Sequence, residues 1–211
     1  MTQLLSGRGA VVVGGSRGIG AAVATQLARH GAGVVVNRRE QDVAEQTAAG
    51  IAAGGGAAVS YPGSPADPAI AESLITRCID LFGGVHILVN CAGIAEPAGS
   101  SILDISPSQF RELLDSHLGT VFATCREAAP RMVEQGGASI VNTGSVAFLG
   151  DYGGTGYPAG KGAVTSLTLA IAAELKQHKV RANVVCPGQR PGCPAGRITR
   201  PHRRPEPARL A

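Results

Sequence analysis

Tyr157 and Lys161 stand four residues apart, a spacing that brings two side chains onto one face of a helix. A phenol with its ordinary pKa of about 10 is a poor acid or base at neutral pH, but a neighbouring ammonium stabilises phenolate. Together the pair could shuttle a proton. The stretch Gly14-Gly15-Ser16-Arg17-Gly18-Ile19-Gly20 offers a different chemistry. Glycines there let the backbone approach a pyrophosphate, and the N-terminus of a following helix stabilises its charge. A third feature, Asn37-Arg38-Arg39, falls about 20 residues further on, where an NAD site tends to carry Asp or Glu for the ribose hydroxyls. An acid would repel a 2′-phosphate, whereas guanidinium groups attract it, with Arg17 as a third partner; NADP is therefore favoured over NAD. Each feature also has a plainer reading: a surface Tyr/Lys pair, a tight turn without a ligand, and solvated arginines.

These residues need elements to position them. The apolar run 10–13 ends at the glycine cluster, and 19–30 then shows helical spacing, which makes a strand, a turn and a helix. The unit recurs, with a strand at 34–36 before a helix at 40–53, a strand at 57–60 before a helix at 68–82, and a strand at 86–90. Such alternation implies parallel strands joined by right-handed crossovers. Ser106-Pro107-Ser108-Gln109 has a capping serine, a proline suited to the first helical position and a glutamine three beyond the cap, so one long helix is predicted from there to about 134. A strand at 139–143, a loop carrying Ser145, a helix from Tyr157 to His178 and a strand at 180–185 complete about six strands.

Composition agrees with α/β packing: 30 glycines, no tryptophan and 3% aromatic residues point to aliphatic layers and tight turns. No segment approaches the roughly 18 apolar residues of a membrane span, and no signal peptide is evident, so a cytoplasmic protein is expected. Five cysteines without C-x-x-C or zinc-like spacing read as reduced structural thiols, with no metal site. The net charge of +4 belongs to the end of the chain. Residues 189–211 hold six arginines and one glutamate, +5 in all, which leaves −1 for residues 1–188. That Pro/Arg-rich segment is expected to be disordered, and without aromatic platforms it gives no reason to expect nucleic-acid binding.

In order, the chain carries Gly14, Gly18 and Gly20 in a G-x-x-x-G-x-G turn, Asn90-Cys91-Ala92-Gly93, Ser145, Tyr157-x-x-x-Lys161 and Pro187-Gly188. This set resembles the short-chain dehydrogenase/reductase family, in its 3-oxoacyl-[acyl-carrier-protein] reductase-like branch. The resemblance implies a Rossmann-type doubly wound parallel sheet in residues 1–188 with helices on both faces. It also implies hydride transfer between a nicotinamide and a carbonyl or secondary alcohol substrate. Tyr157 would be the general acid/base, Ser145 would hydrogen-bond the substrate oxygen, and Lys161 would bind the nicotinamide ribose and tune Tyr157. The family's fourth catalytic position, normally asparagine, falls at His117, for which a packing role is equally open. Cofactor contacts are expected from Gly14, Ser16, Arg17, Gly18, Ile19, Gly20, Arg38, Arg39, Asn90, Ala92, Gly93, Tyr157, Lys161, Pro187 and Gly188, and a homodimer or higher homo-oligomer from the helices at 106–134 and 157–178.

The chain also departs from that pattern. Val13 stands where the family has threonine, Ser64 where it has an acid, and Gln189 follows Pro187-Gly188 where it has threonine. The family's substrate lid, final helix and seventh strand are not recognisable after Gly188, as a change of reading frame would produce. The alternative to an active enzyme is therefore a catalytically weak or inactive dinucleotide-binding remnant.

Overall fold

Val11, Val12 and Val13 and Val34, Val35 and Val36 are β-branched and fully buried, as strands covered on both faces require. The computed structural model describes residues 3–97, 99–150 and 154–188. It contains strands β1 (Gly9–Val13), β2 (Gly33–Arg38), β3 (Ala57–Pro62), β4 (Ile87–Asn90), β5 (Ala138–Thr143) and β6 (Val180–Val185). All pair in parallel in the order β3-β2-β1-β4-β5-β6, the doubly wound arrangement the sequence implies. The helices are α1 (Gly18–Arg29), α2 (Gln41–Ala53), α3 (Pro68–Phe82), α4 (Pro107–Leu114), α5 (Thr120–Glu134) and α6 (Gly156–Leu175).

Alternation along each strand divides the core. Val11 and Val13 pack with Leu74 of α3, Met132 of α5 and Val164 of α6, while Ala10 and Val12 pack with Ala24 and Ala28 of α1 and Ile51 of α2. Helices therefore cover both faces. Ser106 and Gln109 form the reciprocal cap expected at the start of α4, with Ser106 N donating to Gln109 Oε1 at 2.9 Å and Gln109 N to Ser106 Oγ at 3.2 Å. The single long helix expected from there is instead broken by a π-helical turn, Asp115–Gly119. Segment 189–211, with its expected disorder, lies outside the described residues. Among the described residues no helix is long and apolar enough to cross a membrane.

The N-terminal rim of the sheet is closed by α3. A Cβ on Gly33 would collide with the Phe82 ring, and one on Gly9 with the Gly84 carbonyl. His86 Nδ1 accepts from Gly9 N at 3.0 Å.

A buried polar run crosses the other half of the sheet. Thr124 Oγ1 donates to Asn90 Oδ1 at 3.0 Å, Asn90 Nδ2 to Asn142 Oδ1 at 2.9 Å, and Asn142 Nδ2 to Thr168 Oγ1 at 2.9 Å. Asn142→Ala would leave the Asn90 amide with only the weak acceptor Cys125 Sγ, 3.8 Å away, and the Thr168 hydroxyl without its donor, in a site closed to water, at roughly 1–3 kcal/mol for an unsatisfied group. We expect Asn142→Ala to lower the unfolding free energy in urea by about 2–3 kcal/mol; a loss under about 0.5 kcal/mol, typical of a surface change, would show that the run is not holding the sheet.

Candidate functional site

Because the strands are parallel, their C-terminal ends share one rim. Val13 is in register with both Asn37 and Asn90, and Asn90 with Asn142, so the glycine turn, the end of β2 and the ends of β4 and β5 emerge side by side. Gly14 has φ +71°, and a Cβ there would lie 2.7 Å from Ala92 N; one on Gly20 would collide with the Gly14 carbonyl. Only glycine fits either place. Gly15 N donates to Asn37 O at 3.0 Å and Thr47 Oγ1 to Ser16 O at 3.3 Å, which fixes the turn against β2 and α2. No side chain caps α1, and its first turn has no acid, so its leading N–H groups point toward the turn unanswered by a carboxylate. Ser16 Oγ is buried without a partner. An uncapped helix start, an orphaned hydroxyl and a cradle that a Cβ would fill suit the phosphates of a dinucleotide.

The basic residues expected to read the ribose are at this edge too. Arg17 and Arg39 are exposed. Arg38 Nε donates to Glu40 Oε2 at 2.8 Å, and that hydrogen bond holds the Glu40 carboxyl below its ordinary pKa. Glu40 was not among the residues singled out from the sequence. Its acid follows the arginine by two positions and occupies one edge of the guanidinium, leaving the other nitrogens open.

Tyr157 and Lys161 share a face of the first turns of α6. Lys161 is 5% exposed, its Nζ donates to Thr143 O at 2.8 Å and it sits 5.8 Å from the centre of the Tyr157 ring. Burial pushes its pKa down to about 8. His117, carried by the π-helical turn and 1% exposed, meets Tyr157 edge to face, with ring centres 5.2 Å apart and planes at 87°. Its Nε2 lies 3.0 Å from Ile94 O; a carbonyl only accepts, so Nε2 carries the proton and Nδ1 is left as a buried acceptor without a partner. Glycines shape this slot, because a Cβ on Gly93 would collide with the imidazole and one on Gly160 would lie 3.1 Å from Cδ2.

Ser145 is 9% exposed and its Oγ accepts from Ala147 N at 3.1 Å, so it starts the short 3-10 turn Val146–Leu149 two residues after the carbonyl that holds Lys161. Among the described residues it makes no hydrogen bond to Tyr157. Asn90 serves the sheet network, Ala92 abuts Gly14, and Pro187 and Gly188 follow β6 at the same rim. Sequence reasoning missed Glu96, in the loop after β4. Its Oε1 accepts from Thr155 N at 3.2 Å and Gly156 N at 3.1 Å, and its Oε2 from Tyr157 N at 2.7 Å. No local signal announces this cap, because the acceptor comes from about 60 residues upstream.

The model for the short chain dehydrogenase family matches residues 8–190. A 3alpha-hydroxysteroid dehydrogenase from Mediterraneibacter gnavus is 36% identical over 192 residues, covering 89% of this chain and 76% of that protein. An NADP-dependent (R)-specific alcohol dehydrogenase from Lentilactobacillus kefiri is 39% identical over 193 residues, covering 89% of this chain and 75% of its own length. Among solved structures, a chain described as a short-chain dehydrogenase/reductase from Burkholderia xenovorans aligns with TM-score 0.84 and 29% identity over 90% of this chain and 77% of that one. None of these three carries the name of a 3-oxoacyl-[acyl-carrier-protein] reductase, so the branch expected from the sequence gains no specific support.

Burial, followed by the charge of Lys161, pushes the His117 pKa down to about 4. Between about pH 6.5 and 4 the unfolded chain therefore binds a proton that the folded chain does not, and stability falls as the pH drops through that window. At roughly 1.4 kcal/mol per pKa unit, the loss should reach up to about 3 kcal/mol. Urea titrations from pH 7 to 4 should show a shallower loss for His117→Asn than for the natural sequence; equal slopes would contradict the buried, neutral imidazole.

Proposed function

We propose, of a chain that belongs to the short-chain dehydrogenase family, that it is an NADP-dependent enzyme interconverting a small carbonyl compound and its secondary alcohol. It is an NAD(P)-dependent oxidoreductase; the choice of NADP, the substrate class and the roles of single residues are our reading. The observation that carries the reading is the placement of Lys161, buried and held at Thr143 O beside the Tyr157 ring. That placement sets a cation beside the phenol that would exchange the proton. Tyr157 would give its proton to the substrate oxygen in reduction and take it back in oxidation. Ser145 would hydrogen-bond the same oxygen, and His117 would wall the site behind Tyr157.

The nicotinamide, when bound, supplies or accepts the hydride. Gly14, Ser16, Gly18, Ile19 and Gly20 would hold the pyrophosphate; Asn90, Ala92, Gly93, Pro187 and Gly188 would border the nicotinamide end, with Lys161 on its ribose. Arg17, Arg38 and Arg39 would meet the 2′-phosphate, and the Lentilactobacillus kefiri relative is itself named NADP-dependent. The alternative of an inactive remnant is not favoured, since the relatives are named dehydrogenases and reductases. A Rossmann-type unit spanning residues 1–188 is part of the same proposal.

An NADPH-oxidation screen over ketones and aldehydes tests it. Tyr157→Phe should lower kcat by about a hundredfold or more while NADPH binding holds. Arg38→Asp should weaken NADPH roughly ten- to a hundredfold, the worth of a charged hydrogen bond, and leave NADH nearly unchanged. Equal affinities of the natural sequence for NADH and NADPH would sink the cofactor assignment.

We also propose a homodimer contact on the outer faces of α5 and α6, where Phe122 and Leu169 are 53% and 64% exposed and a partner's helices would cover them. Light scattering should report a dimer that Phe122→Asp with Leu169→Asp converts to monomer; a natural sequence already monomeric would remove the proposal.

A further inference from the structure

We propose that Glu96 is a positioning residue for Tyr157, its carboxylate fixing the first turn of α6 through three consecutive backbone N–H groups. The proposal rests on the reading of Tyr157 as general acid and base. The leading N–H groups of a helix have no partner within it. In α6 the N-cap residue Thr155 makes no side-chain cap and the first turn holds no acid. Glu96 takes that place from outside the helix, receiving Thr155 N, Gly156 N and Tyr157 N. The shortest of the three bonds, 2.7 Å, is to the amide of Tyr157 itself.

Two further observations join this cap to the site rather than to the helix alone. Gly154 has φ +75°, and a Cβ there would lie 2.6–2.9 Å from the Glu96 carboxyl atoms, so the chain leaves room for the carboxylate where it enters the helix. Two residues before Glu96, Ile94 O receives His117 Nε2, and the His117 ring packs edge to face on Tyr157. Backbone amide and ring of Tyr157 are thus both held by one loop, the amide through Glu96 and the ring through His117. A helix end with its amides unanswered frays, and a misplacement of about 1 Å at the reacting group can cost on the order of a hundredfold in rate. Charged acceptors make the stronger hydrogen bonds, which suits a carboxylate to the task better than an amide.

The test compares the natural sequence with Glu96→Ala, Glu96→Gln, Tyr157→Phe and Tyr157→Phe combined with Glu96→Ala. It follows steady-state turnover, NADPH binding by cofactor fluorescence, and hydrogen exchange of the backbone at 155–161. Glu96→Ala should lower kcat about tenfold or more, keep the NADPH dissociation constant within about twofold, and speed exchange at 155–157. Glu96→Gln, which retains one acceptor oxygen, should fall between. Added to Tyr157→Phe, Glu96→Ala should change the residual rate by less than about twofold, since a residue acting through the phenol has nothing left to position. A kcat within about twofold of natural, or a loss that multiplies in full with that of Tyr157→Phe, would overturn the proposal. Should Glu96→Ala fail to fold, Glu96→Gln is judged by the same measures. A natural sequence that turns over no carbonyl substrate fails the functional reading alone, and unchanged exchange at 155–157 then overturns the role of Glu96.

Discussion

The hydrogen-bonded run from Thr124 through Asn90 and Asn142 to Thr168 holds two helices and two strands to one register. Each amide in it is buried, and each threonine also bonds back to a carbonyl of its own helix, Thr124 to Thr120 and Thr168 to Val164. Sliding α6 by one residue along the sheet would turn Thr168 away and leave Asn142 without an acceptor, at a cost comparable with a fifth or more of a small domain's stability. Apolar contacts alone fix position less strictly, because they lack direction. Lys161 lies seven residues before Thr168, about two helical turns, so the same network decides where its ammonium emerges. It emerges at the carbonyl of Thr143, the residue after Asn142.

That ammonium is held at a cost to stability. Moving it out of water disfavours its charge, and the shift of its pKa down to about 8 records the cost. One carbonyl compensates only in part. The buried imidazole beside it, with one bare nitrogen and a strongly lowered pKa, is a second group the fold accommodates at a loss. Two such groups within reach of one tyrosine are difficult to explain as packing alone, since apolar residues of the same volume would fill the space more cheaply.

How far the sequence could be read depended on the range of the interaction. The glycine turn, the Tyr157/Lys161 pair and the Ser106/Gln109 cap are local, and each lies where its spacing puts it. Strand centres were visible as short apolar runs, and the carboxyl ends of β1, β4, β5 and β6 fall where the sequence puts them, but β2 continues to Arg38 and β3 to Pro62, because pairing there extends beyond the apolar middle. The π-helical turn left a faint trace. Leu113, His117, Val121 and Cys125 are all buried in three successive steps of four, each overshooting a regular helix by about 40°, and a wider turn absorbs that drift. Glu40 and Glu96 could not be found this way. One acts on an arginine already assigned a different task, and the other acts on a helix about 60 residues away.

The far rim of the sheet follows another logic. There Phe82 fills the space a side chain on Gly33 would need, and Gly9 is pressed between Gly84 and His86; every one of these contacts serves closure of the fold. Mutational tolerance should consequently be graded along the strand axis. A library that diversifies loops at the carboxyl ends samples the rim of the candidate site, provided Gly14 and Gly20 are kept, whereas the same diversity at the amino ends would chiefly erode yield. For directed evolution of this scaffold, strand polarity is in effect a map of where variation is informative.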